Sequence, residues 1–210
     1  MSGSQGLEQD GQGDAGRTRR SATRTLKAAP LAPAEFALLG LLAQSRDAQG
    51  NLEAIHGYDL TRRFTEGALA EVIRLEPGML YHYLKKLGRA GFISTTVERQ
   101  QSRPDRQMHA LTQVGDIALR AWLTAPVHAT REIRLTFLLK LFLARRIDRP
   151  LAIGLVEDQR HVTAALVESL TAQLAALPET TDDDRFRRDV LELRCSQTQA
   201  ALEWLGSLTS

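Results

Sequence analysis

The sequence predicts a mostly α-helical protein with one small β-hairpin: an amino-terminal winged helix-turn-helix, then a long carboxy-terminal helical region. Three observations lead there. Three short helical segments precede two β-favouring runs, and the third segment, "PGMLYHYLKKLGRA", is cationic and aromatic without an acid. The two runs, "FISTTVERQ" and "RQMHALT", flank the polar "QSRPD" and read as a hairpin. From Pro126 onward the apolar spacing is that of long helices. Three helices followed by a hairpin is the order of a winged helix-turn-helix.

Residues 1–29 form a polar tail, with five glycines in the first sixteen positions and little to bury. Its basic end, "RTRR" and Arg24, reads either as a solubilising tail or as an arm adding electrostatic affinity for a phosphate backbone. A domain at 30–125 opens with "LAPAEFALLGLLAQ". There Pro33 suits the first helical position and Glu35 the first turn, although Ala32 is a poor cap. The turn-rich Ser45–Ile55 reads as a loop. "HGYDLTRRFTEG" is a second helix, with Leu60 and Phe64 four apart and Gly67 as its stop. The third helix runs from Pro77 to Ala90, with Gly91 as a left-handed terminator. After the hairpin, Thr112 caps a fourth helix in "QVGDIALRAWL".

The second region, 126–210, is read as a helical dimerisation domain. "TREIRLTFLLKLFLARR" has a wide apolar face interrupted by Lys140. Leu155, Val162, Leu166, Leu170, Leu174 and Leu177 stripe the next helix. In the last helix Phe186, Val190, Leu193, Gln197, Ala200 and Trp204 recur at steps of four and three. Such a heptad-like seam is best hidden against a second copy of the chain.

Function is sought on the third helix. Setting Leu80, Leu84 and Leu87 inward turns Gly78, His82, Lys85 and Arg89 outward, flanked by Tyr81 on one side and by Met79 and Lys86 on the other. A helix entering a DNA major groove needs that division: an apolar anchor, small or polar residues near base edges, and cations for phosphate. Arg99, Arg103 and Arg106 on the hairpin offer a second backbone contact. The segment from Gly78 to Arg106 holds six cations against two acids, in a chain whose net charge is only +2. A winged-helix module meeting an acidic protein partner, without DNA sequence specificity, is the alternative reading of this face.

Other function classes find little support. Cys195 is the single cysteine, which fits a reducing compartment. No signal-peptide pattern or membrane-spanning run is evident, and a cytoplasmic location is expected. His56, His82, His109, His128 and His161 are scattered without metal-ligand spacing, so no metal and no cofactor are expected. No phosphate loop, nucleophile elbow or dinucleotide fingerprint appears, so the chain is not expected to be an enzyme. Trp122 and Trp204 are weak candidates for stacking on a flat hydrophobic effector; core or interface packing is the plainer role.

"HGYDLTRRF", "IRLEPGMLYHYLKKLGRAGFI", "ALTQVGDIAL" and "TREIRLTFLLKLFLARR" together resemble the PadR family of bacterial transcriptional regulators. The resemblance extends from about Leu31 to Leu205. It implies a homodimer that represses by occupying an inverted repeat in promoter DNA and leaves when a small molecule binds. It also implies that Tyr81, Lys85 and the wing arginines touch DNA. Glu76 stands where the family usually has a small polar cap, and the Ser45–Ile55 loop is longer than the family's.

Overall fold

The structure, a computed structural model, describes residues 30–45, 51–99, 106–178 and 180–208. Helix α1 (Pro33–Ala43) is buried on nearly every side, as its almost wholly apolar sequence demands. Ala32 offers it no side-chain cap. Glu35 compensates, its Oε2 accepting from the Ala32 N–H at 2.8 Å.

The segment expected to be a loop contains a strand. Ile55–His56 (β1) pairs antiparallel with β3 (Arg106–Leu111), setting Ile55 opposite His109. Two residues carry no periodicity, and the pairing partner lies some fifty positions away, so this strand has no local signature. Residues 46–50 of the same loop lie outside the described residues. Helix α2 (Gly57–Thr65) is capped by His56, whose Nδ1 accepts from the Tyr58 N–H at 3.0 Å. Its stop differs from expectation. Gly67 has φ of −105° rather than a left-handed conformation, and it leads into a 3-10 turn at Ala68–Glu71. Glycine matters there because an added Cβ would stand 3.2 Å from the Arg63 carbonyl oxygen.

Helix α3 (Pro77–Arg89) ends as its sequence predicts. Gly91 takes φ of +78°, its N–H reaching Gly88 O at 3.1 Å, and the Phe92 N–H reaches Leu87 O at 3.0 Å. This is a Schellman closure, which glycine enters without the steric cost of a Cβ. The chain then rises into β2 (Ile93–Glu98), which pairs with β3 in the sheet order β1-β3-β2. Thr112 locks the joint. Its Oγ1 accepts from the Gly115 N–H at 3.1 Å, capping α4 (Gln113–Thr124), and lies 2.7 and 2.9 Å from the Gly91 and Phe92 carbonyls.

The carboxy-terminal region departs from one expectation. The run 130–146 is not one regular helix: a turn, α5 (Thr130–Glu132), passes through a π-helical Ile133–Phe137 into α6 (Leu138–Ile147). Pro150 then starts α7 (Arg149–Ala175), and α8 (Asp182–Ser207) packs back along it. Thr181 and Asp184 cap α8 reciprocally, each side chain accepting the other's backbone N–H at 3.1 Å.

Two cores meet at α6. Leu139 and Leu143 join Leu38, Leu42, Phe64, Leu84 and Leu119 in the first. Phe137, Leu141 and Ala144 join Val127, Leu155 and Leu205 in the second. Gly40 permits the approach, since a Cβ there would meet Leu143 Cδ1 at 2.5 Å. Lys140 does not interrupt an exposed face. It is buried, donates to the Ala125 carbonyl and lies 4.9 Å over the Trp122 ring, which itself stacks on Phe36 at 4.5 Å. Gln159 on α7 holds the linker by accepting from the Val127 N–H at 2.7 Å and donating to the Val127 carbonyl at 2.8 Å.

Two tests follow from this joint. Gly40→Ala overpacks the α1–α6 contact and is expected to cost about 1–3 kcal/mol in denaturant unfolding. Combining it with Leu143→Ala should cost less than the sum of the two single changes, because the clash and the cavity relieve each other. Lys140 is the second case: burial, opposed weakly by Glu132, pulls its pKa down to about 8. Below that pH the folded state carries the full penalty of a buried cation. Above it the folded protein sheds the proton while the unfolded chain keeps it until about 10.5, so stability rises with pH in that window. Thermal melts at pH 7.5 and 9.5 should show this rise in the wild type and a smaller one in Lys140→Met.

Candidate nucleic-acid interface

The leucine stripe decides which way α3 faces. Leu80, Leu84 and Leu87 are buried, and Gly78, Met79, Tyr81, His82, Lys85, Lys86 and Arg89 are exposed. Glu76 stands at the N-cap without a side-chain capping bond and is solvent-facing. Of the cations on this helix, Lys85 and Arg89 have no ion-pair partner among the described residues.

Lys86 is different. Its Nζ lies 2.8 and 2.9 Å from the two carboxylate oxygens of Glu35, whose side chain is fully buried in α1. A buried carboxylate needs a partner. Lys86 supplies it across 51 positions of sequence, at the edge of the face rather than on it. Sequence periodicity placed Lys86 beside the cations because it reads one helix at a time and cannot see what α1 presents.

The wing stands away from the core. In β2 only Ile93 is buried, and Ser94 to Glu98 are exposed on both faces of that strand. Arg99 is exposed at its far end, and Arg106 is exposed opposite Glu98 in the β2–β3 register. Arg103 lies outside the described residues. Between α3 and the wing runs a cleft of about 680 Å³. Lys85, Arg89, Ser94, Gln107 and His109 line it, with Tyr81 at its rim. Ser94, Gln107 and His109 were missed from sequence. All three needed the fold, since every residue of β2 beyond Ile93 is exposed and exposure alone singles out none of them. His109 is buried, with Nδ1 3.0 Å from Thr95 Oγ1, and burial with the nearby His56 lowers its pKa.

A second surface lies on α8. Phe186 is 68% exposed and Leu193 59%, and Val190, Gln197, Ala200 and Trp204 complete an exposed row. Trp204 also meets Phe137 edge-on at 6.1 Å. Trp122, by contrast, is taken up by the stack with Phe36 and Lys140, which leaves its faces no room for a flat ligand. Among the described residues no group of His, Cys, Asp and Glu could hold a metal ion, and no helix is long and apolar enough to cross a membrane.

The PadR-like transcriptional regulator family matches residues 50–121, and the carboxy-terminal part of virulence activator alpha matches residues 133–208. The negative transcriptional regulator PadR of Bacillus subtilis strain 168 is 26% identical over 180 residues, spanning 83% of this chain and 94% of the relative. Similar solved structures include Bacillus subtilis PadR in complex with operator DNA, at 26% identity and a TM-score of 0.40 over 83% of this chain and 96% of that one. The PadR-like regulator BC1756 from Bacillus cereus is 20% identical, with a TM-score of 0.38 over 85% of this chain and 98% of that one.

The two adjacent lysines should separate in stability measurements. Lys86→Met strands the Glu35 carboxylate and is expected to cost about 1–3 kcal/mol in chemical denaturation. Lys85→Met should stay within about 0.5 kcal/mol of the wild type.

Proposed function

We propose that this chain, which carries a PadR-like transcriptional-regulator domain over residues 50–121, acts as a homodimer that binds an inverted repeat in double-stranded promoter DNA and represses transcription. The observation that carries this reading is the outward face of α3, where Lys85 and Arg89 have no ion-pair partner among the described residues and stand beside Tyr81 and His82 while the leucines behind them are buried. Gly78 leaves the amino end of α3 uncrowded, with nothing within 4 Å of where its Cβ would be. That end can approach base edges, and the lysine and arginine farther along meet phosphate. Repression as the sign of regulation follows the Bacillus subtilis relative, a negative regulator. The chain is not an enzyme in this reading, and it works in the cytoplasm where promoter DNA is.

The exposed row on α8 supports the dimer. Burying Phe186, Val190, Leu193 and Trp204 against their copies removes apolar surface from water at about 25 cal/mol per Å². It also presents two α3 helices to successive major grooves, centred roughly 34 Å apart. A cleft of about 660 Å³ beside this row, with the charged Glu71, Arg131 and Arg134 among its lining, offers room for a small effector that carries both apolar and polar groups. Val72, Ile133, Leu135, Gln197 and Ala200 line it, so it touches the winged domain, the π-helical turn and the seam at once. A ligand that binds one inter-subunit angle better than another shifts DNA affinity with a coupling of about 1–3 kcal/mol.

Titration with duplex DNA at several salt concentrations tests the reading. The logarithm of affinity should fall by about 0.9 per phosphate neutralised for each unit of log salt. Lys85→Ala with Arg89→Ala should weaken all sequences alike and flatten that slope, because phosphate contacts carry no sequence code. A flat salt response and no preference for duplex would identify a protein-interaction module instead. Leu193→Asp, which puts a charge costing several kcal/mol into the seam, should sediment as a monomer. A dimer that survives it would place the contact elsewhere.

A further inference from the structure

His109 is 3% exposed, and its Nε2 is buried with no hydrogen-bond partner among the described residues. Buried ring nitrogens are normally satisfied, so an orphan beside a functional surface calls for a reason. Gly57 shows what the nitrogen faces. A Cβ on Gly57 would sit 3.6 Å from His109 Nε2, 3.3 Å from Tyr81 Cε1 and 3.8 Å from Tyr81 Oη, so the imidazole and the phenol ring both border Gly57. Both side chains also line the cleft between α3 and the wing, with Lys85, Arg89, Ser94 and Gln107. No carboxylate lines that cleft among the described residues. The ionisable groups around His109 are His56 from β1 and Tyr81, Lys85 and Arg89 from α3. β2 brings the neutral Thr95, and α1 and α2 add no side chain to the cleft lining.

Building on the DNA-binding reading, we propose that this cleft seats one phosphate of the DNA strand, and that His109, protonated as the phosphate arrives, positions the Tyr81 hydroxyl on it. In the protonated ring Nδ1–H donates to Thr95 Oγ1, and Nε2–H, now a donor, backs the Tyr81 oxygen, whose own proton is given to a phosphate oxygen. In the free protein, burial and the neighbouring His56 hold His109 neutral. An anion seated beside His109 favours the charged ring. Each phosphate seated therefore takes up one proton from solvent, and DNA affinity rises as pH falls between the free and bound pKa values of His109.

The experiment is binding of a mixed-sequence duplex at fixed salt from pH 8.5 to 5.5, since backbone contacts need no particular operator. Affinity should climb by roughly fivefold to tenfold per protomer as pH drops through the histidine range, approaching one proton per site. His109→Gln should show no climb between pH 8.5 and 5.5, whereas His161→Gln, exposed on α7, should retain it. Histidine NMR of the wild type, which needs no variant to fold, should show the His109 pKa rising on addition of duplex. Equal climbs in His109→Gln and the wild type, or a His109 pKa that duplex leaves unmoved, would overturn the proposal while leaving the regulator reading intact. A protein that binds no duplex at any pH would instead overturn the regulator reading. A His109 pKa raised as much by inorganic phosphate alone would give the cleft to a free phosphate and remove the DNA strand from it.

Discussion

A carboxylate sealed from water sets the orientation of α3. Glu35 sits wholly inside the protein, where it finishes the amino end of its own helix and receives the ammonium of Lys86. Three leucines on α3 allow some rotation about their own axis, because apolar contact has no direction. An ion pair within 2.9 Å does have direction. Once Lys86 is committed to Glu35, Lys85 and Arg89 are turned outward, and the exposed cationic face of α3 is defined. One cation of α3 serves the fold, while Lys85 and Arg89 have no ion-pair partner among the described residues.

The wing is set by a different kind of contact, made of backbone groups. Gly91 closes α3, and the Thr112 hydroxyl then gathers the carbonyls of Gly91 and Phe92 while capping α4. Helix end, ribbon base and next helix therefore share one joint. Gly115 presses into it so closely that a Cβ would stand 2.1 Å from the Phe92 carbonyl oxygen. The cleft between α3 and the wing inherits its width from this joint.

Helix α6 links that assembly to the long arms. Its Leu139 and Leu143 belong to the winged core and its Leu141 and Ala144 to the other, so the arms cannot tilt without repacking both. Close-packed interiors pass such displacements on rather than absorb them. The Phe36–Trp122–Lys140 stack and the Gln159 clamp on Val127 add polar and aromatic ties across the same boundary. The π-helical turn at Ile133–Phe137 lies where α6 begins, against the cleft that meets the α8 seam. A surplus residue per turn in such segments often accompanies functional sites.

Much of this was legible in the chain. The limits of α3, the left-handed Gly91, the Thr112 cap and the buried stripe at Leu80, Leu84 and Leu87 all follow from chemistry within one or two turns. So does the exposed row from Phe186 to Trp204, a periodicity the single chain leaves uncovered. What could not be read involves residues far apart along the sequence. Strand β1 exists because β3 offers it a partner, Lys86 is diverted by Glu35, and Lys140 is buried because Ala125 and Trp122 receive it. Trp122 is taken up by the same packing, and His109 has Nδ1 served by Thr95 while its Nε2, near Gly57, finds no hydrogen-bond partner among the described residues. Local propensity and periodicity determine which elements form and which faces are greasy, since those depend on neighbours in sequence. Which cation is free, which imidazole is enclosed and which ring is accessible depend on desolvation by distant groups, and that is decided only when the elements are brought together.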